Sequence, residues 1–132
     1  RDVAPSRGLG DVYKRQTLDS LWMRQNLTMN NIANVDTPGF KSQYMTFENE
    51  LAQKIRSALT VKKTSMKNVA RGIENMRPSV HTTLNESTRL DENNVDMDQE
   101  QVELARTAYE YQFMISSVSS DLSRLRSAAK NF

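Results

Sequence analysis

The sequence predicts a mainly α protein with coiled-coil-like helices near its two ends and a long irregular segment between them. Apolar residues recur at alternating spacings of four and three over about five heptads near the C terminus, and over a shorter stretch that begins near residue 17. Only 37% of the 132 residues are hydrophobic and 7% are aromatic, which suits helices that bury one stripe better than a thick globular core.

The C-terminal helix is expected over residues 96–132. Its seam residues are Leu104, Ala108, Tyr111, Ile115, Val118, Leu122, Leu125, Ala129 and Phe132. Asp96 and Gln99 form a capping-box-like pair at its start, and Asp98 and Glu100 place negative charge on its first turn. The N-terminal helix is expected to be only about half as long. We therefore infer that part of this seam needs a partner outside the chain.

A second apolar face lies on the same predicted helix. Tyr109 and Phe113 stand four residues apart and share this face with Val102, Ala105 and Gln112. Two apolar stripes on one helix indicate contact with more than one neighbour. This pattern favours assembly over a two-helix monomer.

The N-terminal helix is predicted over residues 17–36. Its seam consists of Leu18, Leu21, Gln25, Thr28, Ile32 and Val35, flanked by Trp22 and Met29. Residues 1–16 hold two of the four glycines and one of the three prolines, which disfavour a regular helix there. We interpret residues 1–16 as a disordered leader and as a candidate for non-native sequence.

The stretch NNIANVDTPGFK, residues 30–41, ends this helix. Thr37 precedes a proline and is therefore held out of the helical region. Pro38 and Gly39 suit the two central positions of a type II turn. We expect Asn34 to cap the helix in the left-handed conformation that asparagine tolerates.

Three asparagines, Asn30, Asn31 and Asn34, lie on the last turn before this stop. Their amides can satisfy carbonyl groups left bare at a helix end, so a plain capping cluster is one interpretation. The other is a joint in which a buried asparagine fixes the packing geometry against copies of the chain or its relatives.

Residues 37–95 are expected to form the turn and an irregular middle segment. Phe47, Leu51 and Ile55 predict a short helix near residues 46–56. From residue 56 to 94 apolar residues are sparse and follow no sustained period. This part is predicted to hold a weak strand or two, or to order only against a partner.

Charge is unevenly distributed, although the net charge is only +2. Residues 54–77 carry seven basic side chains against one acidic, and residues 86–110 carry eight acidic against two basic. Such blocks favour head-to-tail or lateral association between copies, or else form two solvated faces with no partner. The basic block contains no aromatic residue, so no nucleic-acid binding is expected.

Catalytic and metal chemistry find little support in the sequence. There is no cysteine, and the single histidine, His81, lies in a polar region. No zinc-protease, phosphate-loop or nucleophile-elbow motif occurs, and the acidic cluster at residues 91–100 lacks the glycine and spacing of an EF-hand loop. We expect no enzyme activity, no metal and no cofactor. No apolar run approaches the ~20 residues of a membrane span, so no direct membrane insertion is expected.

The segment LWMRQNLTMNNIANVDTPGFKSQ, residues 21–43, resembles the N-terminal signature of the flagellar rod, hook and axial protein family. The signature positions are Asn30, Asn31, Ile32, Ala33, Asn34, Thr37, Pro38, Gly39, Phe40 and Lys41. Residues 93–132, which begin NNVDMDQEQVELARTAYEYQ, are similar to the C-terminal segment of the family, and the short chain resembles its proximal-rod branch. Asp91-Glu92 stands where that family usually has Asp-Gly.

The resemblance implies that the two end helices pair antiparallel within a subunit and stack with other subunits into a tubular rod. Such a rod crosses the periplasm and passes motor torque outward. The implied partners are further copies of the chain, other flagellar rod proteins, basal-body ring or adaptor components, and the flagellum-specific type III export apparatus that carries the subunit out of the cytoplasm. The alternative is a coiled-coil adaptor or chaperone-like module that holds one partner helix, for which a Thr-Pro-Gly stop offers little gain.

Overall fold

A computed structural model of the chain describes residues 3–60, 66–85, 87 and 89–131. Within these ranges the elements are α1 (Val3–Ala33), β1 (Gln43–Thr46), α2 (Glu48–Thr60), α3 (Met66–Glu74), β2 (Ser79–Thr82) and α4 (Met97–Lys130). The prediction of a mainly α protein with long helices at its two ends and short β elements in the middle is confirmed. In the described part, no helix is both long and apolar enough to span a membrane.

The two long helices, α1 and α4, run antiparallel. Three contacts between them fix this direction, because residue numbers fall along α1 as they rise along α4. Asn31 bonds Glu100 at 3.1 Å, Arg24 lies 3.7 Å from Glu110, and Lys14 pairs with Asp121. Asp96 caps α4 as predicted, since its side chain accepts hydrogen bonds from the N–H groups of Asp98 and Gln99.

Helix α1 begins at Val3 and not near Thr17, so the prediction of a disordered leader is wrong for residues 3–16. Pro5 stands in the first turn, where a missing N–H is tolerated. The cost of Gly8 and Gly10 is offset by tertiary contacts further along. Arg15 bonds Glu74 at 2.7 Å, and Leu9 and Val12 pack on the buried core.

The fully buried apolar cluster lies between α1 and the middle segment. It comprises Met45, Phe47, Leu51, Ile73 and Met76, against which Leu9, Val12, Met23, Leu27, Ile55 and Val69 pack. The short helix predicted from Phe47, Leu51 and Ile55 is present as α2, although it ends at Thr60. The middle segment is therefore the main source of the core.

Helix α3 was missed by the sequence prediction, which found no period in this region. Met66, Val69, Ile73 and Met76 are in fact spaced three, four and three apart, which is the pattern of an amphipathic helix. Ile73 is 1% exposed and anchors α3 to the core. Of the weak strands predicted between residues 56 and 94, β2 is present. Its partner β1 lies before that stretch, and the two pair antiparallel with Met45 opposite Val80.

The face of α4 that meets α1 is not the predicted apolar seam. Its residues are Glu100, Glu103, Thr107, Glu110, Met114, Ser117 and Asp121, all buried or half-buried and spaced three and four apart. From Glu103 onward each residue of this face comes one position before a seam residue, so at 100° per residue the two faces are about 100° apart. Arg24 of α1 lies against this face, 3.9 Å from Glu103 and 3.7 Å from Glu110. The seam is consequently displaced to the flank of the helix pair.

Helix α1 is longer than predicted, so its length does not leave the seam of α4 uncovered. Helix α1 has 31 residues and α4 has 34, so the first helix is long enough to accompany the second. The seam stays partly uncovered for a different reason. Near its start α1 directs Leu9 and Val12 at the core shared with α3, and not at α4.

We predict that Thr107→Val raises the free energy of unfolding by about 1 kcal/mol. Thr107 is fully buried, and its Oγ1 has no hydrogen-bond partner in the described structure. A methyl group of similar size removes that unsatisfied hydroxyl. The measurement is urea denaturation followed by circular dichroism.

The control for that change is Ser20→Ala. Ser20 is equally buried, but its Oγ donates to the Thr17 carbonyl at 2.8 Å. Its removal is expected to lower stability by roughly 1 kcal/mol. Destabilisation by both changes would show that the Thr107 hydroxyl has a partner.

Candidate functional site

Two segments that are distant in the sequence, residues 30–43 and 91–95, meet at the end of α1 and form what we call the joint; Asn34 and Asn93, which bond each other there, are 59 residues apart. Gly39 N–H donates to the Asp91 carbonyl at 2.6 Å, and Asn94 N–H donates to the Phe40 carbonyl at 3.3 Å. The Lys41 ammonium reaches the Glu92 carbonyl at 2.6 Å. Main-chain bonds thus tie the Thr-Pro-Gly turn to the segment that leads into α4.

Asn93 is the centre of the joint and is 0% exposed. Its amide nitrogen donates to the carbonyls of Asn34 and Thr37, both at 2.8 Å. Its amide oxygen accepts the Val95 N–H at 2.8 Å. One side chain from the start of the α4 segment therefore gives the Asn34 and Thr37 carbonyls a second hydrogen bond, beside those from the Thr37 and Phe40 N–H groups. The sequence analysis assigned such bonds to the asparagines of α1 itself.

The turn itself has the predicted form. Phe40 N–H bonds the Thr37 carbonyl at 3.3 Å, and Gly39 has φ of 71°, as the third position of a type II turn requires. Asn34, however, is not left-handed, because its N–H continues the helical pattern to the Asn30 carbonyl at 3.2 Å. The expected left-handed cap at Asn34 is therefore wrong, and the left-handed position after α1 belongs to Gly39.

Glu92 is the only non-glycine residue with positive φ, at 61°, in the described part of the chain. It occupies the place of the glycine that the flagellar axial resemblance leads one to expect after Asp91. The segment thus keeps the left-handed bend although a side chain is present, which carries a strain of about 1 kcal/mol. The bend is imposed by the bonds that Asp91 and Glu92 make to Gly39 and Lys41.

Asn31 ties α1, β1 and α4 together. It is 2% exposed and exchanges two hydrogen bonds with the Gln43 main chain, at 2.8 and 2.9 Å. Its amide nitrogen also donates to Glu100 at 3.1 Å. Burial raises the pKa of the Glu100 carboxyl, and the charges of Glu103 and Asp96 add to this effect, whereas the Asn31 bond opposes it.

The other signature residues lie at the edge of the joint. Asn30 is exposed, and Asn34 bonds the Asn30 carbonyl at 2.8 Å while accepting from the Thr37 hydroxyl at 3.1 Å. Ile32, Phe40 and Lys41 are half-buried, and Ala33, Thr37 and Pro38 are exposed. The three asparagines thus have three different roles, and only Asn31 is a buried one.

Three further residues of this region were not singled out from the sequence. Asn94 accepts the Ser42 N–H at 2.7 Å, and Arg89 donates to the Val35 carbonyl at 2.8 Å. The signal for Asn93 and Asn94 was present in the Asn-Asn-Val-Asp stretch that carries the C-terminal resemblance. No pattern in the sequence indicated that Arg89 would bond to the end of α1.

The predicted packing seam lies on one side of the helix pair, which we call the outer face. It comprises Leu18, Trp22 and Met29 of α1 with Leu104, Tyr111, Ile115, Val118 and Leu122 of α4. Leu18, Leu104, Tyr111 and Val118 are half-buried, while Trp22 is 59% exposed and Leu122 is 56% exposed. In an antiparallel pair, a rotation of the same sign from the contact line leads to the same side on both helices. These residues therefore form one surface.

The remaining predicted seam residues differ from this set. Leu21 is buried within the chain, Ile32 is half-buried at the joint, and Ala108 and Leu125 are exposed. Phe132 lies outside the described residues.

The single histidine lies in the strand pair. His81 stacks on Tyr44 and lies 3.0 Å from the Thr46 hydroxyl. The described residues contain no group of three or more side chains that could hold a metal ion.

Comparisons with known proteins find related sequences, and their matches include the joint. A sequence model of the family described as "Flagella basal body rod protein" matches residues 21–41, which run through the end of α1 and the turn. The chain is 32% identical to flagellar basal body rod protein FlgB of Bacillus subtilis over 104 residues, covering 79% of this chain and 80% of the relative.

Two further relatives carry the same description. FlgB of Borrelia hermsii is 36% identical over 71% of this chain and 76% of the relative, and FlgB of Escherichia coli is 26% identical over 83% and 85%. The fold and these matches define the class, a structural subunit of the flagellar basal-body rod. Within that class the chain belongs to the FlgB family.

We predict that Asn93→Ala lowers the free energy of unfolding by about 2–3 kcal/mol, because two carbonyls each lose one of their two hydrogen bonds and the Val95 N–H loses its buried acceptor. Asn30→Ala is the control, since that side chain is exposed and makes one long bond; a change within about 0.5 kcal/mol is expected. Urea unfolding measures both. Equal losses of stability in the two variants would show that Asn93 does not hold the joint together.

We predict that two substitutions in the joint, one to glycine and one from glycine, change the stability of the fold in opposite directions. Glu92→Gly relieves the left-handed strain and is expected to stabilise by about 0.5 kcal/mol, after the flexibility that glycine adds to the unfolded chain. Gly39→Ala introduces the same strain and is expected to destabilise by about 1 kcal/mol, although a Cβ there meets no atom within 4 Å. Thermal melts compare the two. A destabilising Glu92→Gly would show that the side chain contributes more than the strain.

Proposed function

We propose that this rod subunit polymerises through the outer face of the α1–α4 pair, in the proximal part of the rod, and that the polymer transmits motor torque. The observation that carries the proposal is the unpaired apolar surface on both helices. Ile115 is 46% exposed and Met29 is 53% exposed, beside the still more exposed Trp22 and Leu122. A single domain of this size gains nothing from exposing such a surface unless another molecule covers it.

The outer face suits repeated contacts between subunits. Complete burial of a large apolar side chain contributes roughly 1.5–3 kcal/mol relative to full exposure, so half-exposed residues contribute about half as much. One such contact has to overcome several kcal/mol of lost translational and rotational freedom. A polymer supplies many contacts per subunit, which favours assembly over a single pairing.

The joint supports the mechanical part of the proposal. It binds the end of α1 to the start of α4 through Asn93 and to β1 through Asn31. A load on one long helix is therefore passed to the other and to the middle segment through short, well-directed hydrogen bonds. Export from the cytoplasm through the type III apparatus and contact with ring or adaptor components belong to the same proposal, as does the absence of catalysis.

The adaptor alternative finds less support. A module that holds one partner helix needs its exposed apolar side chains to line a single groove. Here Ile115 lies on one flank of the helix pair, whereas Tyr109 and Phe113 are exposed on a different face of α4. The FlgB relatives likewise carry the name of a rod protein.

We predict that Ile115→Asp abolishes self-association and incorporation into basal bodies, because it places a charge on the outer face. The matched control is Ser116→Asp, which adds the same charge at the next, exposed position. Trp22 is the single tryptophan, so its fluorescence should shift to shorter wavelength as wild-type chains associate. Normal motility in a strain that carries only Ile115→Asp would overturn the proposal.

A further inference from the structure

A groove of about 1260 Å³ runs along the side of the helix pair away from the outer face. Its floor is formed by Leu21, Leu27 and Met45, and its wall by Val102, Tyr109 and Phe113. The wall is the second apolar face predicted from the sequence. Tyr109 is 75% exposed and Phe113 is 73% exposed, so α1 does not cover them.

The groove is acidic. Five acidic residues line it, Glu48, Asp98, Glu100, Glu103 and Glu110, against two basic ones, Arg24 and Arg106. Arg24 is shared between Glu48, Glu103 and Glu110, and Arg106 bonds Glu110 at 3.0 Å. Two cations therefore leave most of the negative charge unbalanced, and the groove attracts a cationic surface.

A cationic surface of the right size is present on the same chain. Lys67 and Arg71 stand one turn apart on the exposed side of α3, and Arg77 follows the helix. The exposed Lys54 of α2 belongs to the same basic block. Helix α3 has nine residues and is about 14 Å long, whereas the groove wall from Asp98 to Phe113 is about 22 Å long.

The two surfaces cannot meet within one chain. Helix α3 is fixed to one face of α1 by the buried Ile73 and by the bond between Arg15 and Glu74. Helix α4 lies on a different face of α1, through Lys14, Arg24 and Asn31. The side of α3 that carries Arg71 is exposed and points away from the core.

We propose that the acidic groove receives the basic outer side of α3 from a second copy of this chain. Arg71 would lie over the Tyr109 and Phe113 rings, and the aliphatic stems of the basic side chains would cover the apolar wall. The groove and α3 are different surfaces, so the contact is heterologous and links copies head to tail without closing a dimer. This inference rests on the proposed function and adds a second, charge-dependent contact to the outer face.

The test is a charge-swap complementation on the full chain. One variant carries Asp98→Lys with Glu103→Lys; Arg24 keeps its other two partners, because Glu103 lies 3.9 Å away at the edge of that cluster. The other variant carries Lys67→Glu with Arg71→Glu. Analytical ultracentrifugation at low salt measures association of each variant alone and of the equimolar mixture, and circular dichroism verifies folding.

We expect each variant alone to associate at least tenfold more weakly than wild type, and the mixture to regain association because the reversed groove accepts the reversed α3. Association that is weakened but not regained on mixing would overturn the proposal and assign the groove to a different basic partner. Unchanged association in both variants would also overturn it.

A second variant tests the groove in case the charge swap unfolds the chain. Tyr109→Ser with Phe113→Ser changes only exposed side chains and is expected to weaken association by a similar factor. Wild-type levels of association in this variant would overturn the proposal. If Ile115→Asp loses association while the groove variants associate like wild type, the proposed function is retained and the groove contact is rejected. A wild-type chain that stays monomeric at every concentration rejects both.

Discussion

The two hydrogen bonds from Asn93 to the carbonyls of Asn34 and Thr37 are the constraint on which the rest of the fold depends. They join the end of α1 to the start of the segment that leads into α4. The middle segment between them therefore begins and ends at nearly the same place in the fold. The closed path brings β1 and β2 side by side and lets α3 reach α1. A neutral amide suits this position because it donates twice and accepts once without burying a charge.

The low hydrophobic content of the chain is explained by how α1 divides its surface. One side of α1 supplies Leu9, Val12, Met23 and Leu27 to the core with the middle segment. Another side meets α4 mainly through charged and small residues. The apolar residues left over, among them Trp22 and Ile115, lie on the outer face. Intramolecular folding thus uses polar contacts where a monomeric helical protein would use apolar ones, and keeps apolar surface for neighbours.

The sequence was sufficient for features that depend on local chemistry. The Asp96 cap, the turn at Pro38-Gly39 and the helix after Phe47 each follow from a few adjacent residues. The early start of α1 was not predictable in this way, because its glycines disfavour a helix and the compensating bond to Glu74 is remote in sequence. The orientation of α4 could not be predicted in this way either, since the face that meets α1 contacts side chains of the other helix such as Arg24 and Asn31.

The weakness of the contact between α1 and α4 has a consequence for assembly. Its ion pairs are partly exposed and contribute about 0–1 kcal/mol each. Thr107, which is fully buried in this contact, has a hydroxyl with no hydrogen-bond partner among the described residues. Beyond Asp121 every described residue of α4 is exposed, including Leu122 and Leu125. The joint therefore fixes the position of α4 at its start, while in the described part of the chain the residues after Asp121 stay exposed. A helix held at one end adjusts to its neighbours at low cost, and those neighbours then complete its packing.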